Sequence, residues 1–142
     1  MTSQQKLDNN KLLIENTALL MNEKIKPVQT IFMQWIEKFG PRETIPFNHD
    51  ELSRTFNIDI EIVGETIPEL GRGLFLRNRV KKGSKIIWRR IRPQTFIKKY
   101  PQGKFLIFTK TNAYAIIDGK TNAPLGDLEK DPIEIVYKFT SK

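Results

Sequence analysis

Apolar residues recur at helical spacing in the first third of the chain and alternate beyond Ile58. Between Leu7 and Lys24, the positions Ile14, Ala18, Met21 and Ile25 keep one face, with Leu13 and Leu20 beside it, which predicts one helix. Lys26-Pro27 breaks that run, and proline suits the first turn of a following helix, where its missing N–H costs nothing. Val28, Ile31, Phe32, Trp35, Ile36 and Phe39 then hold the three–four spacing until Gly40-Pro41 stops it. Asn48-His49-Asp50-Glu51 has the form of an N-cap with a glutamate three residues on, and Leu52 and Phe56 continue a short third helix. Leu74 and Leu76 alternate with Phe75 and Arg77 in a strand leaving a Gly71-Arg72-Gly73 turn. Lys82-Gly83-Ser84 closes the hairpin into the apolar run Ile86-Ile87-Trp88. Pro93 to Tyr100 reads as a short helix with Pro101-Gln102-Gly103 as its exit, and strands continue to Phe139. The order predicts an α+β protein: a helical N-terminal segment, residues 1–57, followed by a β-rich part, residues 58–142.

Composition narrows the chemistry. With 142 residues, 39% of them hydrophobic, the chain can bury a single core or one domain with a small appendage. It has no cysteine, which excludes disulfides, thiolate zinc sites and cysteine nucleophiles. The one histidine, His49, reads as an exposed first-turn helix residue without acidic neighbours at ligand spacing, so no metal site is expected. No apolar run approaches the roughly 18 residues a membrane helix needs. Met1-Thr2-Ser3-Gln4-Gln5-Lys6 lacks the charged-then-apolar pattern of a secretory signal, and the expectation is an intracellular protein, nuclear or cytoplasmic.

Charge is unevenly placed. Up to Asp59 seven basic residues face eight acidic ones, whereas the remainder holds seventeen basic and eight acidic. The whole surplus of +8 therefore belongs to the β-rich part. Arg77, Arg79, Lys81 and Lys82 crowd the first hairpin, and Arg89 and Arg90 follow. Such a surface attracts polyanions in a salt-dependent way, so these six residues are candidate contacts to nucleic acid or a partner; a solvated face that keeps the protein soluble is the plainer account. Trp88, flanked by Arg89 and Arg90, is either a buried strand residue or a stacking platform beside cations. Trp35 reads as packing in the core or against a partner, so a plain interaction protein with partner-facing helices, or an oligomer, is a further possibility.

One basic-module reading has a specific architecture. Glu51-Leu52-Ser53 followed by Phe56-Asn57-Ile58 resembles the second helix of a winged helix-turn-helix. A recognition helix would then run from Asp59 to Leu70, with the hairpin from Leu74 to Ile87 as the wing. Gly64 and Pro68 fall inside that helix, at about 1 and 3 kcal/mol, and alternation through Ile58, Ile60 and Ile62 favours a strand instead.

A different resemblance rests on longer stretches. Pro68-Glu69-Leu70-Gly71-Arg72-Gly73-Leu74-Phe75 followed by Val80-Lys81-Lys82-Gly83-Ser84-Lys85-Ile86 looks like the opening of a SET domain, the β-fold of protein lysine methyltransferases. Phe105-Leu106-Ile107-Phe108, Tyr114-Ala115-Ile116-Ile117-Asp118, Thr121-Asn122 and Leu125-Gly126-Asp127-Leu128 resemble that family's pair of central strands and the approach to its cofactor motif. The resemblance covers about half the chain, from Ile60 to Leu128. It implies S-adenosylmethionine as cofactor, held by Gly71, Arg72, Gly73 and Leu74, with a protein lysine substrate or chromatin as partner. Ile133 to Phe139 is similar to the family's closing strand and implies Tyr137 as its catalytic tyrosine; Tyr114, where the family keeps an aromatic residue, reads as buried packing. Where the family carries Asn-His-Ser, this chain has Glu129-Lys130-Asp131-Pro132. Lysine methylation needs a dry, aligned channel, so the resemblance implies an incomplete or inactive member.

Overall fold

In a computed structural model, residues 2–39, 47–79, 86–109, 113–121 and 133–142 are described. The expected first helix is two: α1, Ser3–Asn9, and α2, Lys11–Met21. Thr2 starts α1 with a reciprocal capping box to Gln5. Asn10 ends it, because its side-chain amide donates to the Lys6 carbonyl at 2.7 Å and competes with the helical ladder. The left-handed Asn22 closes α2. The second predicted helix is α3, Ile25–Phe39, with Pro27 in its first turn. Helix α4, His49–Phe56, begins where the N-cap was expected: the Asn48 side chain accepts from the Glu51 amide at 3.1 Å. Asn48→Ala should cost about 1 kcal/mol, read as a lower urea midpoint with an unchanged slope.

Strand β1, Ile58–Thr66, occupies the segment that a winged helix-turn-helix needs as its recognition helix. That reading is corrected here. Ile58 and Ile60 point into the core while Asp59 and Glu61 face solvent, a two-residue period no helix can satisfy. Gly64 has its own reason to be in the strand. A β-carbon there would sit 3.3 Å from Leu74 Cδ1, and the register shifts beside it between Ile62 and Gly64. A short 3₁₀ turn, Pro68–Leu70, leads to β2, Leu74–Arg79, and β3, Ile86–Ile91. Next come α5, Pro93–Lys99, then β4, Lys104–Thr109, and β5, Ala113–Ile117. Strands β6, Lys120–Thr121, and β7, Ile133–Ser141, follow among the described residues. The expected turns at Gly40-Pro41 and Lys82-Gly83-Ser84 lie outside the described residues, as do Asn122, Leu125–Leu128 and Glu129-Lys130-Asp131-Pro132.

The strands form one antiparallel sheet in the order β3-β2-β1-β7-β4-β5-β6. The strand latest in the chain, β7, is therefore central, paired with β1 on one side and β4 on the other. The protein is α+β, with a helical segment first and a β-rich region after it. Each face of the sheet has its own core. Ile58, Ile60, Leu106, Tyr137 and Phe139 meet α1–α4 through Leu7, Ile14, Leu20, Phe32, Trp35 and Leu52. On the other face, Leu74, Leu76, Phe105, Ile107 and Val136 meet Phe96 of α5. Helices α2 and α4 make their main sheet contacts with β5, β4 and β1. A buried hydrogen bond of 3.0 Å from the Asn16 side chain to the Ala113 carbonyl fixes α2 on β5.

Candidate nucleic-acid interface

Strand register decides which of the basic residues act together. Between β2 and β3, Arg77 stands opposite Trp88, Leu76 opposite Arg89, Phe75 opposite Arg90 and Leu74 opposite Ile91. Since side chains alternate across a sheet, Phe75, Arg77, Trp88 and Arg90 share the face on which the N-terminal helices lie. Arg89 goes to the other face with Leu74, Leu76 and Ile91, the α5 side. The basic hairpin is thus two surfaces, and the adjacent pair Arg89 and Arg90 is split between them. Arg79 ends β2, while Lys81 and Lys82 lie outside the described residues.

The shared face has a distinct make-up. Phe75 is buried and floors it. Among the described residues, Trp88 is half-buried and grouped with neither hydrophobic core, unlike Trp35, which is 2% exposed inside the helix-side core. Arg90 is exposed. Arg77 is half-buried, and its Nε is enclosed without a hydrogen-bond partner. An unpaired buried donor on a cation is costly.

At the end of the hairpin stands the glycine corner. Gly71 and Gly73 have φ of 109° and 114°, the left-handed region expected of them. Gly71, Arg72 and Gly73 are exposed, and space beside Gly71 is open. Gly73 is different: a β-carbon there would lie 3.0 Å from Arg90 Nε, so the arginine side chain rests on the glycine backbone. Leu74 turns its side chain into the α5-side core.

Tyr137 lies on β7, the central strand. It packs in the helix-side core, with ring centroids 4.9 Å from Phe47, 5.2 Å from His49 and 5.6 Å from Phe108. Burial, reinforced by the negative charges of Glu65 and Asp50, pushes its phenol up to about 12. That environment holds the hydroxyl neutral. His49 corrects a sequence expectation: it begins α4 but is half-buried against Tyr137 rather than free in solvent. Tyr114 is buried, in accord with a packing role. Sequence reading also missed that Trp35 Nε1 donates to Glu51 Oε2 at 2.6 Å, linking α3 to α4. Among the described residues, no group of three histidine or acidic side chains could hold a metal ion, and no helix is long and apolar enough to cross a membrane. No protein-family model, curated protein or solved structure matches the chain.

Proposed function

We propose that the chain is a non-enzymatic module that binds nucleic acid through the helix-side face of the β2–β3 hairpin. The observation that carries this reading is the register, which sets Arg77, Trp88 and Arg90 on one face of the edge hairpin. Guanidinium groups meet phosphate in a planar, two-pronged geometry, and an indole offers a π-face to any base. The +8 net charge supplies long-range attraction. Titrating a labelled oligonucleotide by fluorescence anisotropy at several salt concentrations should give affinity that falls steeply with salt. Arg90→Gln should weaken binding and lower the logarithmic salt slope by about 1. Absence of salt-dependent binding at low ionic strength would end this reading.

The open backbone at Gly71 favours a second reading, a cofactor corner for S-adenosylmethionine of the kind that the SET resemblance implies. Calorimetry with S-adenosylmethionine tests it, with Gly73→Val as the control that pushes against Arg90. Heat that the variant abolishes would support this reading; no heat from the folded protein would remove it.

A further inference from the structure

The nucleic-acid reading leaves open whether the ligand is duplex or single-stranded, and three features of the face bear on that choice. The first is Trp88. Trp88 is half-buried and, among the described residues, grouped with neither core; the part of its ring that stays accessible can stack, which is what an indole offers a base. The second is spacing. Arg77 lies directly across the strand pair from Trp88, where side chains stand about 5 Å apart. Arg90 lies two residues along β3 on the same face, about 6.6 Å away by the strand rise. One stacked base therefore has a cation beside it and another a step along, as a strand with a phosphate on each side of every base requires. The Nε of Arg77 is enclosed, so only its terminal nitrogens could meet an acceptor from outside the fold.

The third feature is shape. A two-stranded ribbon can enter a major groove about 12 Å wide, but β2 and β3 are not a free ribbon. Strand β2 is bonded to β1 and through it to a seven-stranded sheet, which at about 4.8 Å per strand is more than twice the width of that groove. Presented as a face, this surface reaches only the outside of a duplex, whose bases are already stacked and offer no π-face to Trp88. An unpaired strand lying across the sheet offers both bases and phosphates.

We infer that this face selects single-stranded over duplex nucleic acid, with one unpaired base stacked on Trp88 beside Arg77 and the strand running on towards Arg90 at Gly73. The inference rests on the nucleic-acid reading above.

The test compares a labelled single-stranded oligonucleotide with the duplex of the same length and sequence by anisotropy. The wild-type protein should bind the single strand about tenfold or more tightly than the duplex. Trp88→Ala should lose about tenfold on the single strand and little on the duplex, and Trp88→Phe should restore most of it. Arg77→Lys should weaken single-strand binding while preserving the salt slope, because charge remains but the planar donor fork is gone. If Trp88→Ala proves too unstable to assay, quenching of tryptophan emission by unlabelled single strand decides the matter in the wild type, since Trp35 is buried and contributes a silent background. Equal affinity for both forms, with Trp88→Ala altering neither or emission unchanged on binding, overturns the single-strand inference and leaves nucleic-acid binding standing. Failure of both forms to bind at low salt removes both.

Discussion

Trp35→Ala should lower the stability of the protein by about 3–5 kcal/mol, among the largest effects available to a single substitution here. The residue is 2% exposed and belongs to the helix-side core. Its ring lies 4.7 Å from that of Phe32 and 6.2 Å from that of Phe47, contacts that add to the area it buries. Its indole N–H also donates to Glu51 Oε2 at 2.6 Å, a short bond to a carboxylate. Truncation therefore opens a cavity and removes the tie between α3 and α4 together. Trp35→Phe keeps most of the packing and loses only the donor, so it should cost about 1–3 kcal/mol. Urea unfolding followed by circular dichroism distinguishes the two contributions. A Trp35→Ala midpoint indistinguishable from the wild type would mean that α4 is not held through this residue. Because α4 lies over β1 and α2 over β5 and β4, the comparison also measures how far the helical segment and the sheet unfold as one unit.

How much of this was legible in the sequence depends on the range of the interaction involved. Helix α3 was legible because its apolar positions repeat at three and four residues and its stop lies in the next two. Helix α4 was legible from its cap, and α5 from the proline that opens it. The break at Asn10 was not, since Leu7, Ile14 and Ala18 remain in phase across it; a local hydrogen bond from one side chain to the Lys6 carbonyl decides it. The sheet order was illegible for a different reason. Strand β7 pairs with β1, at the other end of the β-rich part, and nothing local to either strand names its partner. The candidate site follows the same division. That Gly71 and Gly73 would turn the backbone to positive φ could be read from their type, and the density of arginine could be counted. Which arginines share a face could have been read in part, because neighbours in a strand must point apart and Arg89 and Arg90 are neighbours. That Arg77 rather than Arg89 accompanies Trp88 and Arg90 needed the register. The contact between His49 and Tyr137 joins residues remote in sequence and left no local sign.

Raising the pH through the tyrosine range should destabilise the wild type by about 2–3 kcal/mol relative to Tyr137→Phe. Tyr137 is 6% exposed, and its phenol is pushed from 10.0 up to about 12, first by burial and then by the charges of Glu65 and Asp50. The sign follows from where the proton is held. Below pH 10 both folded and unfolded chains keep the phenol protonated, and the shift has no effect on stability. Between about 10 and 12 the unfolded chain releases the proton while the folded chain still holds it, so ionisation favours unfolding. Two pH units of difference at about 1.4 kcal/mol each set the size of the loss, complete only above the folded value. Lysines titrate in the same range, which is why the comparison must be made against Tyr137→Phe, where they are unchanged and only the hydroxyl is missing. Parallel urea titrations of the two proteins from pH 8 to 12 would follow the difference directly. Curves that stay parallel throughout would show that the hydroxyl of Tyr137 reaches solvent freely. Divergence above pH 10 would show a phenol held neutral at ordinary pH by its surroundings, a state suited to packing among Phe47, His49 and Phe108 rather than to accepting a proton from a substrate amine.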